Sequence, residues 1–528
     1  MGEERCDLAH LLGGLLAALA LVVSVLASLA PTARAGEAYV ANFQSESVTA
    51  IDTQTNQVVG PPIRVGAAPE AIAITPDGMS AYVANSGEDS LSVIDTQTNS
   101  VVGPPIDLGA GTEEPDAIAV TPDGKTAYVV NEESDNLSVV DIQTDQVVGS
   151  PIPVGEHPYG IAITPDGESA YVSNSGSESV SVIATQTNQV LASIKVGEDP
   201  SKVAVTPDGK TAYVLNEGSN DISVIDTQTN QVQGSPIPVG TPDGIAMSPD
   251  GSSAYVSDAK SKAVSVIDTQ TNQVLGTPIA LGKEPRAITL TPDGKSAYVA
   301  EAGGAEAVVP ISTQTDQLGT PVGVGKLPLW IAITPDQPPH ASFTHLTARP
   351  QVPVAFNASA SSDPDGTIGG FDWGFGDGFQ ETSAGPAASH SYFAPGIYKA
   401  TLTVTDEEGC STAFLFTGQT ALCNGSTAAS SSQIIQVSYP SVRITCPNRA
   451  GHGGCKFRLE AVSARHRGRI ESAVAGLRLK AGRSSVVSLK PRAAYRDSLA
   501  AAGNALVSET AKVDGSKRTR VVRLRIIR

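Results

Sequence analysis

Between Gly36 and Asp336 the chain contains no cysteine and a single histidine, His157. A copper or zinc centre needs clustered imidazole, thiolate or carboxylate ligands, so a His-rich metal site is excluded from this stretch. No Gly-x-Ser-x-Gly elbow occurs and no Cys–His pair exists, which removes two usual carriers of covalent catalysis. Carboxylates remain. Glu113, Glu114, Asp116, Glu156, Glu198, Asp199 and Asp243 fall in short segments that vary along the chain, and Lys283, Arg286 and Lys326 follow in the later ones. Acids together with Arg286 would suffice for a carboxylate-dependent hydrolysis. The same arrangement would be electrostatically lopsided, attracting a basic partner or a calcium ion on its acidic side. Tyr159, beside His157, could stack on a sugar ring, as could Trp330, for which core packing is the competing role.

What must position these residues is a repeat. A Tyr-Val pair recurs at Tyr39, Tyr82, Tyr128, Tyr171, Tyr213, Tyr255 and Tyr298, at intervals of 43, 46, 43, 42, 42 and 43 residues. Each repeat reads in four pieces, as in "EAIAITPDG", "MSAYVANSG", "EDSLSVIDTQT" and "NSVVGPPIDLG", which mix β-branched and aromatic residues with small polar ones and end in turn residues. Thr-Pro-Asp-Gly is a turn with a mechanism: Pro presets φ, Asp bonds its own backbone and Gly accepts a positive φ. Four short strands in a period of about 40 to 45 residues predict a blade of a β-propeller. The register is displaced, because the first Tyr-Val has no Pro-Asp before it and the last Pro-Asp, at Pro335, has no Tyr-Val after it. The strand Leu329–Thr334 is therefore expected to pair with Ala38–Asn42, closing a ring of seven blades. In such a meander the TPDG and TQTN turns share one face. The variable connections, with the acids and cations above, share the other, which marks it as the candidate binding face.

The "AYVAN" and "VIDTQTNQVV" elements, over about Glu37 to Asp336, resemble the YVTN family of β-propeller repeats found in surface-layer and other secreted microbial proteins. The resemblance implies the fold and leaves the activity open, since related propellers include lactonases and copper or haem oxidoreductases. WD repeats, the rival propeller class, would carry Gly-His and Trp-Asp marks that are absent here.

Residues 1–35 read as a signal peptide: an apolar run from Leu11 to Leu29, then Ala33 and Ala35 in a small-residue cleavage pattern. An uncleaved anchor is the alternative. After Asp336 the period is lost, and residues 337–437 carry sandwich-like strand and turn spacing. "FDWGFGDG" and "HSYFAPGIYKATLTVTD" resemble a PKD domain, an Ig-like β-sandwich, with Gly374 where that family usually has Asp. Asp363, Asp365 and Asp377 could ligate calcium or simply form turns. Outside the leader the cysteines are Cys410, Cys423, Cys446 and Cys455, expected to pair in that order in an oxidising compartment, with zinc ligation as the rival.

Residues 438–528 reverse the charge. They hold 20 Lys and Arg against 5 Asp and Glu, a net of +15, which leaves −34 on the rest of a chain whose formal total is −19. Strands around "VRITCP", "GLRLKAG", "SSVVSLKP" and "RTRVVRLRIIR" and a short helix in "RAAYRDSLAAAG" are expected, giving a small, basic, mostly-β domain suited to anionic polymers. Nucleic acid is not the expected partner. The whole reads as an all-β, secreted or cell-surface protein with no membrane span once the leader is removed. The expected role is non-catalytic, without a cofactor unless calcium, binding a protein or glycan at the cell envelope. A lactonase-like hydrolase and a purely structural envelope component are the alternatives.

Overall fold

The computed structural model describes residues 36–438 except 305 and 417–420, and beyond them a set of strands between 441 and 524. The expected leader peptide, the Cys446–Cys455 pairing and the short helix lie outside the described residues.

Seven antiparallel units of four strands follow one another from Glu37 to Ile333, three of them with the outer strand broken into two pieces. Taking as blade 1 the strands Pro69–Ile74, Ser80–Asn85, Ser90–Asp95 and Ser100–Asp107, blades 2 to 6 begin at the inner strands Pro115–Val120, Pro158–Ile163, Pro200–Val205, Pro242–Met247 and Glu284–Leu290. Blade 7 takes its inner strand, Pro328–Ile333, from the end of the ring and its next strand, Glu37–Asn42, from the beginning. The two pair antiparallel, Ala38 opposite Ile333 and Ala41 opposite Trp330, so the expected closure is present.

The Tyr-Val element owes its repetition to packing between blades. In six blades the tyrosine is 0–2 % exposed, and in five of these its hydroxyl donates to an Asn in the outer turn of the next blade. Tyr128 Oη lies 2.6 Å from Asn188 Oδ1, and Tyr298 Oη 2.6 Å from Asn56 Oδ1, the last contact joining blade 6 to blade 7. Tyr82 makes the same bond to Asp145. The acceptors sit at positive φ, between 51° and 56°, where Asn and Asp are the favoured non-glycine residues. At the TPDG turns the hydroxyl of Thr121 lies 2.7 Å from Asp123 Oδ1, and Gly124 at φ +69° packs beside Pro76 of the preceding blade.

Two compact units account for the chain. One holds the propeller to Pro339 together with Asp363–Thr367 and Thr405–Thr427; the other holds His340–Ser362, Ile368–Val404 and the residues from Ala428 onward. In the second unit two sheets enclose an aromatic core of Phe343, Phe356, Trp373, Phe375 and Tyr392. Gly374 is explained by its neighbour, since a Cβ there would come within 2.6 Å of Thr401 Oγ1. The basic segment forms strands that include Ser441–Thr445, Leu477–Leu479, Ser484–Ser488 and Ser516–Leu524.

Replacing Tyr298 by Phe removes the hydroxyl bond across the closure and leaves its acceptors unpaired. Denaturant unfolding of the Tyr298→Phe protein is expected to show a loss of about 1–3 kcal/mol. An unchanged midpoint would mean that these bonds do not hold the blades together.

Candidate active site at the channel mouth

Six of the seven inner strands begin with proline, and in blade 6 Pro285 is the second residue after Glu284; the residue after the proline does not join the ladder. In blade 2, Asn131 pairs with Pro115 and Val130 with Ala117, so Asp116 is extruded as a bulge. The same register shift recurs in every blade. A bulge re-aims its side chain and bends the strand, and here it places one residue per blade at the mouth of the central channel: Glu70, Asp116, Tyr159, Ser201, Asp243, Arg286 and Leu329. The next position is Ala or Gly in five blades, and Lys202 and Trp330 in the other two.

Blades 4 and 6 carry a wider bulge. Pro200 and Val203 are paired while Ser201 and Lys202 are not, and Pro285 and Ile288 are paired while Arg286 and Ala287 are not. Both are supported from the preceding blade by one device. A Cβ on Gly160 would lie 2.3 Å from the Ser201 carbonyl oxygen, and one on Gly244 would lie 2.7 Å from that of Arg286, so only glycine admits the bulge. Ser173 and Ser257 then donate their hydroxyls to those two carbonyls. The two cations of the mouth are thus set by Gly-and-Ser pairs one blade away.

Lys202 is 8 % exposed. Its ammonium sits over two rings, 4.2 Å from the centroid of Tyr159 and 4.6 Å from that of Trp330, a cation–π cage. Burial pushes its pKa down, and the charges of Glu70, Asp116 and Asp243 oppose that shift. Asp116 is 3 % exposed. Burial, its hydrogen bond to Glu132 and the charges of Glu70 and Glu132 hold its carboxyl far above the usual carboxylate range. Glu70 is raised as well, chiefly by burial, and its own hydrogen bond to Asp116 works the other way. Glu70, Asp116 and Glu132 therefore form one cluster of interacting carboxyls in which Glu70 and Asp116 are both raised. Arg286 is committed to acids, with Nη1 at 2.8 Å from Asp243 Oδ2 and Nη2 at 2.8 Å from Glu284 Oε1. Beneath the mouth a cleft, part of it open to solvent, is lined by Lys202, Asp243, Trp330 and residues further along the inner strands.

Of the residues singled out in the sequence, Asp116, Tyr159, Asp243, Arg286 and Trp330 come together at this mouth. Glu113, Glu114, Glu156, His157, Glu198, Asp199, Lys283 and Lys326 lie exposed on the connections around it. Glu70 and Lys202 were missed. Aligning the repeats on the strand-opening proline would have exposed Lys202 and Trp330 as the two large residues in a column of Ala and Gly. Among the calcium candidates, Asp377 binds His390 Nε2 at 2.7 Å, and Asp363 and Asp365 belong to a different cluster with Asp336. The expected Cys410–Cys423 disulfide is present. No helix among the described residues is long and apolar enough to cross a membrane.

The family model of lactonases with a seven-bladed β-propeller matches residues 35–153 and 154–323, more than half of the chain. The chain belongs to the lactonase propeller family. That finding corrects the expectation of a non-catalytic propeller: the family is an enzymatic one. A PKD-domain model matches residues 336–418. Solved structures similar to this lactonase-family chain include hydrazine synthase of Kuenenia stuttgartiensis, 27 % identical over 53 % of this chain and 92 % of that one, with a TM-score of 0.47. Others are a 6-phosphogluconolactonase candidate from Bacteroides uniformis (17 %, 57 % and 100 %, TM-score 0.49) and a protein of unknown function from Desulfotomaculum acetoxidans (19 %, 56 % and 98 %, TM-score 0.49).

The raised pKa of Asp116 gives a signed stability prediction for this lactonase-family protein. Below about pH 4 the carboxyl is protonated in both folded and unfolded chains; as pH rises the unfolded chain releases its proton first, so the contribution of Asp116 to stability falls from there upward. Asp116→Asn keeps a neutral group at every pH. Relative to wild type it is expected to gain on the order of 1 kcal/mol or more at about pH 8 and nothing at about pH 3, measured by denaturant unfolding. An identical difference at the two pH values would mean that Asp116 is not held protonated.

Proposed function

We propose that the protein hydrolyses a lactone at the channel mouth. The observation that supports this most is the buried Lys202, caged by Tyr159 and Trp330 and facing the hydrogen-bonded carboxyl pair Glu70–Asp116. A cyclic ester needs a base for water, a positive group for the oxyanion and an acid for the leaving alkoxide. Glu70 takes a proton from water as the water oxygen bonds to the carbonyl carbon, and the carbonyl oxygen gathers negative charge beside the Lys202 ammonium. When the intermediate collapses, the ring C–O bond breaks and the alkoxide takes the proton of Asp116. Transfer of the captured proton from Glu70 to Asp116 along their hydrogen bond restores both groups, and the net change is one lactone plus one water to one hydroxy acid. Tyr159 and Trp330 hold Lys202 in place and offer apolar faces to the ring. The disulfide and the PKD domain support an extracellular location, where an oxidising medium would keep that bond closed.

The test is hydrolysis of a panel of γ- and δ-lactones by the full chain, followed by pH-stat. Glu70→Gln, Asp116→Asn and Lys202→Met are each expected to lower kcat by about 10²–10³-fold, with circular dichroism unchanged, whereas Glu113→Gln on the exposed rim should leave it within about twofold. No hydrolysis by wild type, or equal rates in all variants, would overturn the reading.

We also propose that calcium binds the acidic cluster beside the end of the propeller. Asp336 and Asp406 are each 4 % exposed. The Oδ1 atom of Asp406 accepts the backbone N–H groups of Gly409 and Cys410, and Oδ2 has no hydrogen-bond partner among the described residues. Oxygens of Asp363 and Glu408 converge on one point, within 3.0 and 3.2 Å of where a Cβ on Gly366 would stand. Burial raises Asp336 to about 9 and Asp365 to about 7, with neighbouring carboxylates adding to both. Cys410 also lies here but is committed to its disulfide, so the donors are all oxygens, which suits calcium. Calcium at about a hundred times its dissociation constant should stabilise the protein by about 2.7 kcal/mol, seen as a higher Tm than in chelator. Equal Tm values with and without calcium would count against the site.

A further inference from the structure

The segment after the sandwich strand Gly396–Asp406 does something the repeats do not announce. Strands Phe414–Phe416 and Ala421–Asn424 pair as a hairpin, with Leu415 opposite Cys423, and the Cys410–Cys423 disulfide ties it to its own base. Phe416 and Ala421 are each 1 % exposed and pack in one cluster with Ala117, Ala119, Ile161 and Ile163 on the inner strands of blades 2 and 3. Leu422 is 3 % exposed, and its carbonyl accepts the Asp336 N–H at 2.9 Å. Asp336 lies just past the end of the inner strand Pro328–Ile333, so Leu422 stands at the TPDG end of the channel. It nevertheless lines the same cleft as Lys202 and Trp330.

We infer that this hairpin is the floor of the catalytic cleft and that Leu422 limits the length of the apolar end of the substrate. From the level of Trp330 to that of Ile333 the strand rises about 10 Å. That interval is lined by Ile72, Ala204, Met247, Leu290 and Ile331, with Leu422 below them. Lys202 and Asp243 lie at the top of the lining, and in the shaft beneath them all lining residues but Thr289 are apolar. A lactone bearing an alkyl chain fits this order, its ester at the mouth and its chain directed at Leu422. Such a shaft gives a bulky charged substituent no partner. The inference rests on the lactone-hydrolase reading for the reaction, although the floor itself does not.

The experiment uses the full chain, wild type, Leu422→Ala and Leu422→Trp, on γ-alkyl-γ-butyrolactones with chains from methyl to octyl. The ratio of kcat/KM for the octyl to that for the methyl lactone is expected to rise in Leu422→Ala and to fall in Leu422→Trp. Each change should be about tenfold or more, the discrimination that one methylene gives in an apolar pocket. A general loss of folding cannot move the ratio in opposite directions. Identical ratios in the three proteins would overturn the assignment. Were wild type to hydrolyse none of these lactones, the reaction reading would fail while the floor stayed testable: binding of straight-chain alkanols, by calorimetry and Trp330 emission, should reach longer chains in Leu422→Ala and only shorter ones in Leu422→Trp. The same longest alkanol in all three would refute it.

Discussion

Everything in the ring depends on one hydrogen bond made over and over, from the hydroxyl of a buried tyrosine to an Asn or Asp in the outer turn of the next blade. Tyr128 reaches Asn188, Tyr171 reaches Asn230 and Tyr213 reaches Asn272, all at 2.6 Å. The bond fixes both ends of the repeat. Tyrosine must sit where its ring fills the space between two sheets, and the acceptor must occupy a turn position with φ near +55°, which only Asn, Asp or Gly adopts cheaply. A blade cannot bury its own apolar faces, so its stability lies in its neighbours. That is why "AYV" and "TQTN" recur while the segments between them drift.

A scaffold of equal blades would give a symmetric channel, and chemistry needs asymmetry. The strand-opening proline provides it by leaving one residue per blade outside the ladder. Those positions hold Glu, Asp, Tyr, Ser, Asp, Arg and Leu in turn. The two wide bulges go further. Each cation depends on a glycine and a serine of the preceding blade, Gly160 and Ser173 for the segment holding Lys202, and Gly244 and Ser257 for that holding Arg286. The functional differences between blades therefore come in neighbouring pairs, written in both the blade that presents the residue and the one that makes room for it.

How much of this could be read beforehand follows the range of the interactions. The propeller and its closure were legible because the repeat is local and the displaced register shows in the positions of Tyr39 and Pro335. Asp116, Tyr159, Asp243 and Arg286 were legible as members of variable connections. Glu70 was passed over although it holds the same post-proline position as those four, and Lys202 was not legible because the wide bulge carries the site a second residue into the strand. The calcium candidates came out mixed for a similar reason: Asp363 and Asp365 meet Asp336, while Asp377 lies across the sequence from them and is taken by His390. Nothing short-range in "STAFLF" or "ALCNG" signals burial against blades 2 and 3, since that contact spans roughly 250 to 300 residues.

The hairpin and the carboxyls are linked by the dielectric of the channel. A propeller channel open at both ends fills with water, which screens Lys202 from Glu70 and Asp116 and returns each group toward its ordinary pKa. Phe416 and Ala421 pack against the inner strands of blades 2 and 3, and Leu422 lines the cleft, so on the inference above they cover one of those openings. Burial is the largest cause of the shifts at Asp116, Glu70 and Lys202 alike, so whatever excludes water from below helps maintain those shifts above. On the proposed reading, the stapled hairpin, far from the carboxyls and Lys202 in sequence and at the opposite end of the strands, would help keep those groups in a dry environment.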